Sequence, residues 1–157
     1  MLCKQTYRFC LSLVGVRRQF YISLPSKKLV IMNRKILITA SLFGAIAVVL
    51  GAFGAHGLKN LISADALTIW AKGVEYQFYH TLALLFLSQM PEGKLTRLAH
   101  VFFSLGILFF SGSLYLLATR TVTNISFVNY IGPITPIGGL LLIVGWGMLL
   151  LSALKSK

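Results

Sequence analysis

The chain has 157 residues, of which 57% are hydrophobic and only 11% charged. A soluble protein carries about 25% charged residues, so a water-soluble globule of this size is excluded and lipid is the solvent that these proportions fit. The 15 Lys and Arg stand against 3 Asp and Glu, a formal charge of +12. That balance would suit a nucleic-acid binder, but its distribution points to membrane flanks: eight cations, from Lys4 to Lys35, precede the first long apolar block, and most others lie between or after such blocks. The expected partner is therefore the bilayer, with no nucleic acid.

Residues 1–33 form a basic leader with six cations and no acid. Its apolar stretch Phe9 to Val16 is too short to span and is closed by Arg17 and Arg18. A twin-arginine export signal fits poorly, because Lys27 and Lys28 interrupt the apolar region that should follow. A mitochondrial transit peptide competes if the source is eukaryotic, and an unstructured basic tail is the bland alternative. The favoured expectation is that translation begins at Met32, just ahead of a span. Cys3 and Cys10 both lie in the leader, so they cannot cross-link the remainder.

From residue 34 to 157 the chain reads as one all-α domain, a four-helix transmembrane bundle. Ile36 to Leu58 holds 23 residues without a charge, about 34 Å of helix and enough for the first span. Ser63 and Asp65 predict a helix N-terminus, followed by an interfacial segment with Trp70 at headgroup level. The second span, at about 70–90, has only 16 uncharged residues between Glu75 and Glu92, so Glu75 is expected at or just inside the membrane boundary. The third span is predicted at about 98–119. Thr135 as N-cap and Pro136 in the first turn open the fourth, at about 136–154.

Four spans put both termini on one side. The cation count is 12 there against 3 opposite, or 6 against 3 from Met32 onward, which predicts cytoplasmic termini, N-in and C-in.

This topology gathers the unusual polar residues in one leaflet. His56 ends the first span, Glu75, Tyr76, Gln77 and His80 open the second, Ser111, Ser113 and Tyr115 lie in the outer half of the third, and Thr135 begins the fourth. Polar groups in a bilayer normally face partners inside the bundle. Tyr76 and His80 share one helix face and Glu75 and Tyr79 another, and at least one pair is expected to point inward. The helix N-terminus near Thr135 is a natural neighbour for the Glu75 carboxylate or an anionic ligand. Structural glue that holds the helices in register is the favoured expectation, with a binding or proton-relay site as the alternative. Gly44, Ala47, Gly51 and Ala55 on the first span, with Gly138 and Gly145 on the fourth, would permit close helix contact within one bundle or between protomers.

His56 has no second ligand at helical spacing, and Glu75 and His80 sit about 140° apart around their helix. His100 lies at the opposite end. Neither phosphate-binding nor dinucleotide-binding nor hydrolase motifs occur, so no catalytic, metal or cofactor residues are expected.

The segments Gly51-Ala-Phe-Gly-Ala-His56, Glu75-Tyr-Gln-Phe-Tyr-His80, Phe110-Ser-Gly-Ser-Leu-Tyr115 and Thr135-Pro-Ile-Gly-Gly139 with Gly145-Trp146 resemble the signature of the YgdD-like family of small inner-membrane proteins. The resemblance covers about residues 34–154. It implies a multi-pass four-helix protein of the bacterial cytoplasmic membrane, or of a mitochondrial membrane in a eukaryote, with no assigned molecular function. The leader departs from that pattern. Two functions fit these residues: a non-enzymatic accessory or scaffold protein, with a membrane-protein partner or a second copy, and a small oligomeric carrier or channel with Glu75 and His80 as protonatable groups. The expectation favours the first.

Overall fold

The computed structural model describes residues 32–123 and 132–155, all of whose regular structure is helical. The leader up to residue 31 lies outside the described residues. The helices are α1 (Arg34–His56), α2 (Ala64–Leu87), α3 (Lys94–Ala118), the single turn α4 (Arg120–Thr123) and α5 (Ile134–Lys155).

Local chemistry explains the boundaries. Asn33 caps α1 by accepting from the Ile36 amide, and Ser63 caps α2 by accepting from the Ala66 amide at 3.2 Å. Asp65 sits in the first turn of α2, where the helix dipole favours an acid. Several expected bounds shift. Helix α1 runs 34–56 rather than 36–58, and α3 begins at Lys94 rather than at 98. Charge-free intervals mark the stretch that lipid can bury, whereas a helix continues past its last apolar residue as long as the backbone bonds are satisfied.

The second helix departs further. Residues 64–87 form one continuous helix, with no separate interfacial segment, and it stops at Leu87 rather than at 90. There the Ser88 carbonyl accepts the Asn33 amide at 2.8 Å, tying the end of α2 to the start of α1. Thr135 is not an N-cap, because α5 starts one residue earlier, at Ile134.

Packing follows chain order: α1 against α2, α2 against α3, α3 against α5. Gly44 abuts Thr81, Gly51 abuts Val74 and Gly54 abuts Trp70, so α1 and α2 run antiparallel over their length. The same direction change recurs between α3 and α5, where Gly138 meets Phe110, Gly106 meets Leu142 and Gly145 meets Phe103. The small-residue face of α1 contains Gly54 rather than Ala55, which is exposed. Gly44, Gly51 and Gly54 on this face meet α2 of the same chain. At Gly138 the approach is backbone to backbone, closer than any β-carbon would allow.

Two apolar clusters result. One joins Ile36, Ala40, Leu84, Leu87, Ala99, Phe103, Leu142 and Leu149; the other joins Leu58, Ile62, Trp70 and Ala118. Along α2 the polar residues Gln77, His80 and Thr81 fall between them. The outward faces are strongly apolar, with Val49 66% and Ile143 68% exposed. In water such surfaces would aggregate, and in a bilayer they face acyl chains.

Candidate functional site

The antiparallel packing brings the end of α1, the first half of α2, the second half of α3 and the start of α5 to one end of the molecule. The candidate residues nevertheless spread along the helix axes, from His56 at the end of α1 to His80, which the Gly44/Thr81 contact places level with the middle of α1, and they do not form one cluster. They divide into an inner hydrogen-bonded layer and an outer surface.

Gln77 is the hub of the inner layer. It is 3% exposed, its Nε2 donates to the Phe43 carbonyl at 2.8 Å, and its Oε1 accepts from the Tyr115 hydroxyl at 2.9 Å. One side chain of α2 thus binds α1 and α3. Ser113 donates to the Phe110 carbonyl or shares its proton with Thr135, 2.7 Å away, which links α3 to α5. Thr81 donates back to the Gln77 carbonyl at 2.8 Å. Each bond satisfies a group that would otherwise be stranded in a low-dielectric interior.

Trp70 belongs to this layer, contrary to its expected place among the headgroups. It is buried, its indole N–H donates to the Leu50 carbonyl at 2.9 Å, and its ring packs 4.6 Å from that of Tyr115. A Trp near a span end reads the same from sequence whether its N–H meets a lipid headgroup or a helix carbonyl. The one available signal is Gly54, which leaves the space that the indole fills.

His80 is buried, with Nδ1 2.7 Å from the Tyr76 carbonyl. That carbonyl can only accept, so Nδ1 carries the proton. The imidazole lies among Tyr76, Phe103 and Trp146 at centroid distances of 6.0, 5.9 and 6.2 Å. Of the Tyr76/His80 pair, only His80 turns inward; Tyr76 is 39% exposed.

Glu75 faces outward. Its Oε2 accepts from Lys72 Nζ at 2.7 Å and its Oε1 from the Tyr79 hydroxyl at 2.7 Å, with both side chains of the ion pair substantially exposed. The carboxylate is therefore held by its own helix rather than by the N-terminus of α5. Its charge sits on the outer surface of α2, where an inward-facing position would have required costly desolvation. His56 is exposed at the last residue of α1. Ser111 is 1% exposed, and its hydroxyl is left without a hydrogen-bond partner among the described residues. At the other end His100 Nε2 lies 3.1 Å from Thr39 Oγ1, linking α3 to α1. Among the described residues no three His, Cys, Asp or Glu side chains converge as a metal site.

Chemically, the inner layer is a set of donors and acceptors matched between helices, and the Lys72/Glu75 charge pair lies outside it. Among the described residues three helices, α1, α3 and α5, are long and apolar enough to cross a bilayer, while α2 carries Lys72, Glu75, Gln77 and His80 and is not one of them. With its lipid-compatible outer faces, this is an integral membrane protein. The chain belongs to the family described as Protein of unknown function (DUF423), whose pattern matches residues 50–139. It is similar to a UPF0382 membrane protein of Haemophilus influenzae, 44% identical over 128 residues that make up 80% of this chain and 98% of that protein. The UPF0382 membrane protein SSP2132 of Staphylococcus saprophyticus is 45% identical over 121 residues, 76% of this chain and 96% of its own length. The UPF0382 inner membrane protein YgdD of Escherichia coli is 38% identical over 128 residues, 80% of this chain and 93% of that protein, which bears out the resemblance to the YgdD-like family. No solved structure matches the chain.

Proposed function

We propose that the protein is a non-enzymatic accessory or scaffold protein of the cytoplasmic membrane, built of four crossing helices with both termini inside. Support for the fourth crossing comes from packing. Helix α2 lies antiparallel beside α1 from the Gly54/Trp70 contact to the Asn33/Ser88 hydrogen bond, so it extends over the same depth as a helix that is itself long enough to span. Its polar residues are tolerated because Gln77 and His80 turn towards neighbouring helices and Lys72 and Glu75 sit near one end.

The observation that carries the scaffold reading is Gln77, whose amide is committed at both ends to helix-to-helix bonds. A proton carrier needs a titratable group that faces a path through the bundle. Here the carboxylate of Glu75 points away from the inner layer, and His80 is fixed by its bond to the Tyr76 carbonyl.

The test is a pair of measurements on Glu75→Gln: thermal unfolding in detergent, and pH-dependent cation flux in proteoliposomes. The expected result is little change in unfolding midpoint, since the amide keeps an acceptor for Tyr79, and no flux from either protein. Wild-type flux that vanishes in Glu75→Gln at unchanged stability would make the carrier the better reading.

A further inference from the structure

The membrane-facing seam between the first half of α2 and the second half of α3 is grooved. The groove has a volume of about 320 Å³, with Ile69, Phe110 and Leu114 among its apolar walls and Thr68, Lys72 and Tyr76 completing it. Its depth in the bilayer follows from the helix contacts. Gly51 abuts Val74 and Gly54 abuts Trp70, so Lys72 is level with the last turn of α1, which ends at His56. That is where a spanning helix leaves the hydrocarbon and lipid headgroups begin.

The charges on the rim define what fits. Lys72 lines the groove, is 57% exposed at its side chain, and is matched by Glu75 at 2.7 Å, which Tyr79 also supports. The rim is a dipole with no net charge. An anionic lipid would gain the ammonium and be repelled by the carboxylate. A lipid with a quaternary ammonium would complement both signs but has no N–H to donate to the carboxylate. A zwitterionic headgroup with a primary ammonium satisfies both, its phosphate accepting from Lys72 and its ammonium donating to Glu75.

We propose that this groove is a specific site for a phospholipid with a primary-ammonium headgroup, phosphatidylethanolamine in chemical class, which lays its glycerol and upper acyl chain against Phe110 and Leu114 and places its headgroup across the Lys72/Glu75 pair. The site does not rest on the scaffold reading, and it requires only that this end of α2 and α3 meets lipid.

The experiment uses the full chain, delipidated in mild detergent and titrated separately with phosphatidylethanolamine, phosphatidylcholine and phosphatidylglycerol, with retained lipid counted by native mass spectrometry. The wild type should retain phosphatidylethanolamine roughly fivefold over each of the others, the discrimination that an interfacial ion pair supplies. The double substitution Lys72→Gln with Glu75→Gln changes only exposed groups and should abolish the preference. Leu114→Trp, which fills the groove, should reduce retention of all three lipids. Equal retention by the wild type, a preference that survives the double substitution, or self-association through this seam that excludes lipid would each overturn the site.

Discussion

Gly138→Ala is expected to destabilise the protein by about 2–3 kcal/mol, the upper part of the range for overpacking a close contact. A β-carbon there would fall on the Phe110 backbone, 2.7 Å from its Cα and nearer still to its amide nitrogen. Backbone cannot rotate aside, so α3 and α5 must separate and loosen the Gly106/Leu142 and Gly145/Phe103 contacts as well. Gly145→Ala should cost less, because its new carbon meets the Phe103 ring, a side chain that can adjust. Gly147 has nothing within 4 Å of its added carbon, so Gly147→Ala should be neutral or gain a little helix propensity. Thermal unfolding of the three variants in one detergent checks the order. Equal midpoints for Gly138→Ala and Gly147→Ala would show that α3 and α5 do not pack as described.

Gln77→Leu is the second large effect expected, about 1–3 kcal/mol, because it removes both bonds of the hub and buries an unpaired Tyr115 hydroxyl. Most of the loss falls at Tyr115, since the Phe43 carbonyl lies within α1 and is also engaged by the helix ladder. A double-mutant cycle with Tyr115→Phe isolates that bond, and coupling of about 0.6 kcal/mol, up to about 1.7, is the scale seen for hydrogen bonds between membrane helices. Ser111→Ala is the control. It deletes a buried hydroxyl with no partner among the described residues and should be neutral or stabilising. Additive effects of Gln77→Leu and Tyr115→Phe would mean that the 2.9 Å contact contributes nothing to holding α2 against α3.

Particular residues show where sequence was informative. The cap at Ser63 followed from its side chain, and charge-free length marked apolar stretches that fall largely within α1, α3 and α5 without giving their bounds, both being local properties. The closeness of Gly138 and Gly145 to another helix was also readable, since they lie two turns apart on α5 and small residues repeated at that spacing permit close helix contact. What local pattern could not supply was direction around the helix axis. Gly54 and Ala55 are neighbours in sequence, yet only Gly54 faces the bundle. Glu75 and Gln77 are two apart, and one faces outward while the other is the hub. Thr135 looked like a cap because it precedes Pro136, whereas its hydroxyl serves Ser113 on another helix. Trp70 was misplaced for the same reason, its partner being a carbonyl twenty residues away. In each case the deciding contact is tertiary, and a helical face is fixed only when the neighbouring helix is known.

The proposed crossing of the bilayer by α2 together with α1, α3 and α5 is tested by which sides of the membrane the α1–α2 loop and the C-terminus occupy. With four crossings the loop between α1 and α2 is outside and the C-terminus inside; if α2 stayed on the outer face, the C-terminus would be outside as well. On a background lacking Cys3 and Cys10, single cysteines at Asn60 and Lys157 should therefore differ. A membrane-impermeant thiol reagent added to intact cells is expected to label position 60 strongly and position 157 only after the cells are opened. Strong labelling of both positions in intact cells would contradict the four-crossing arrangement.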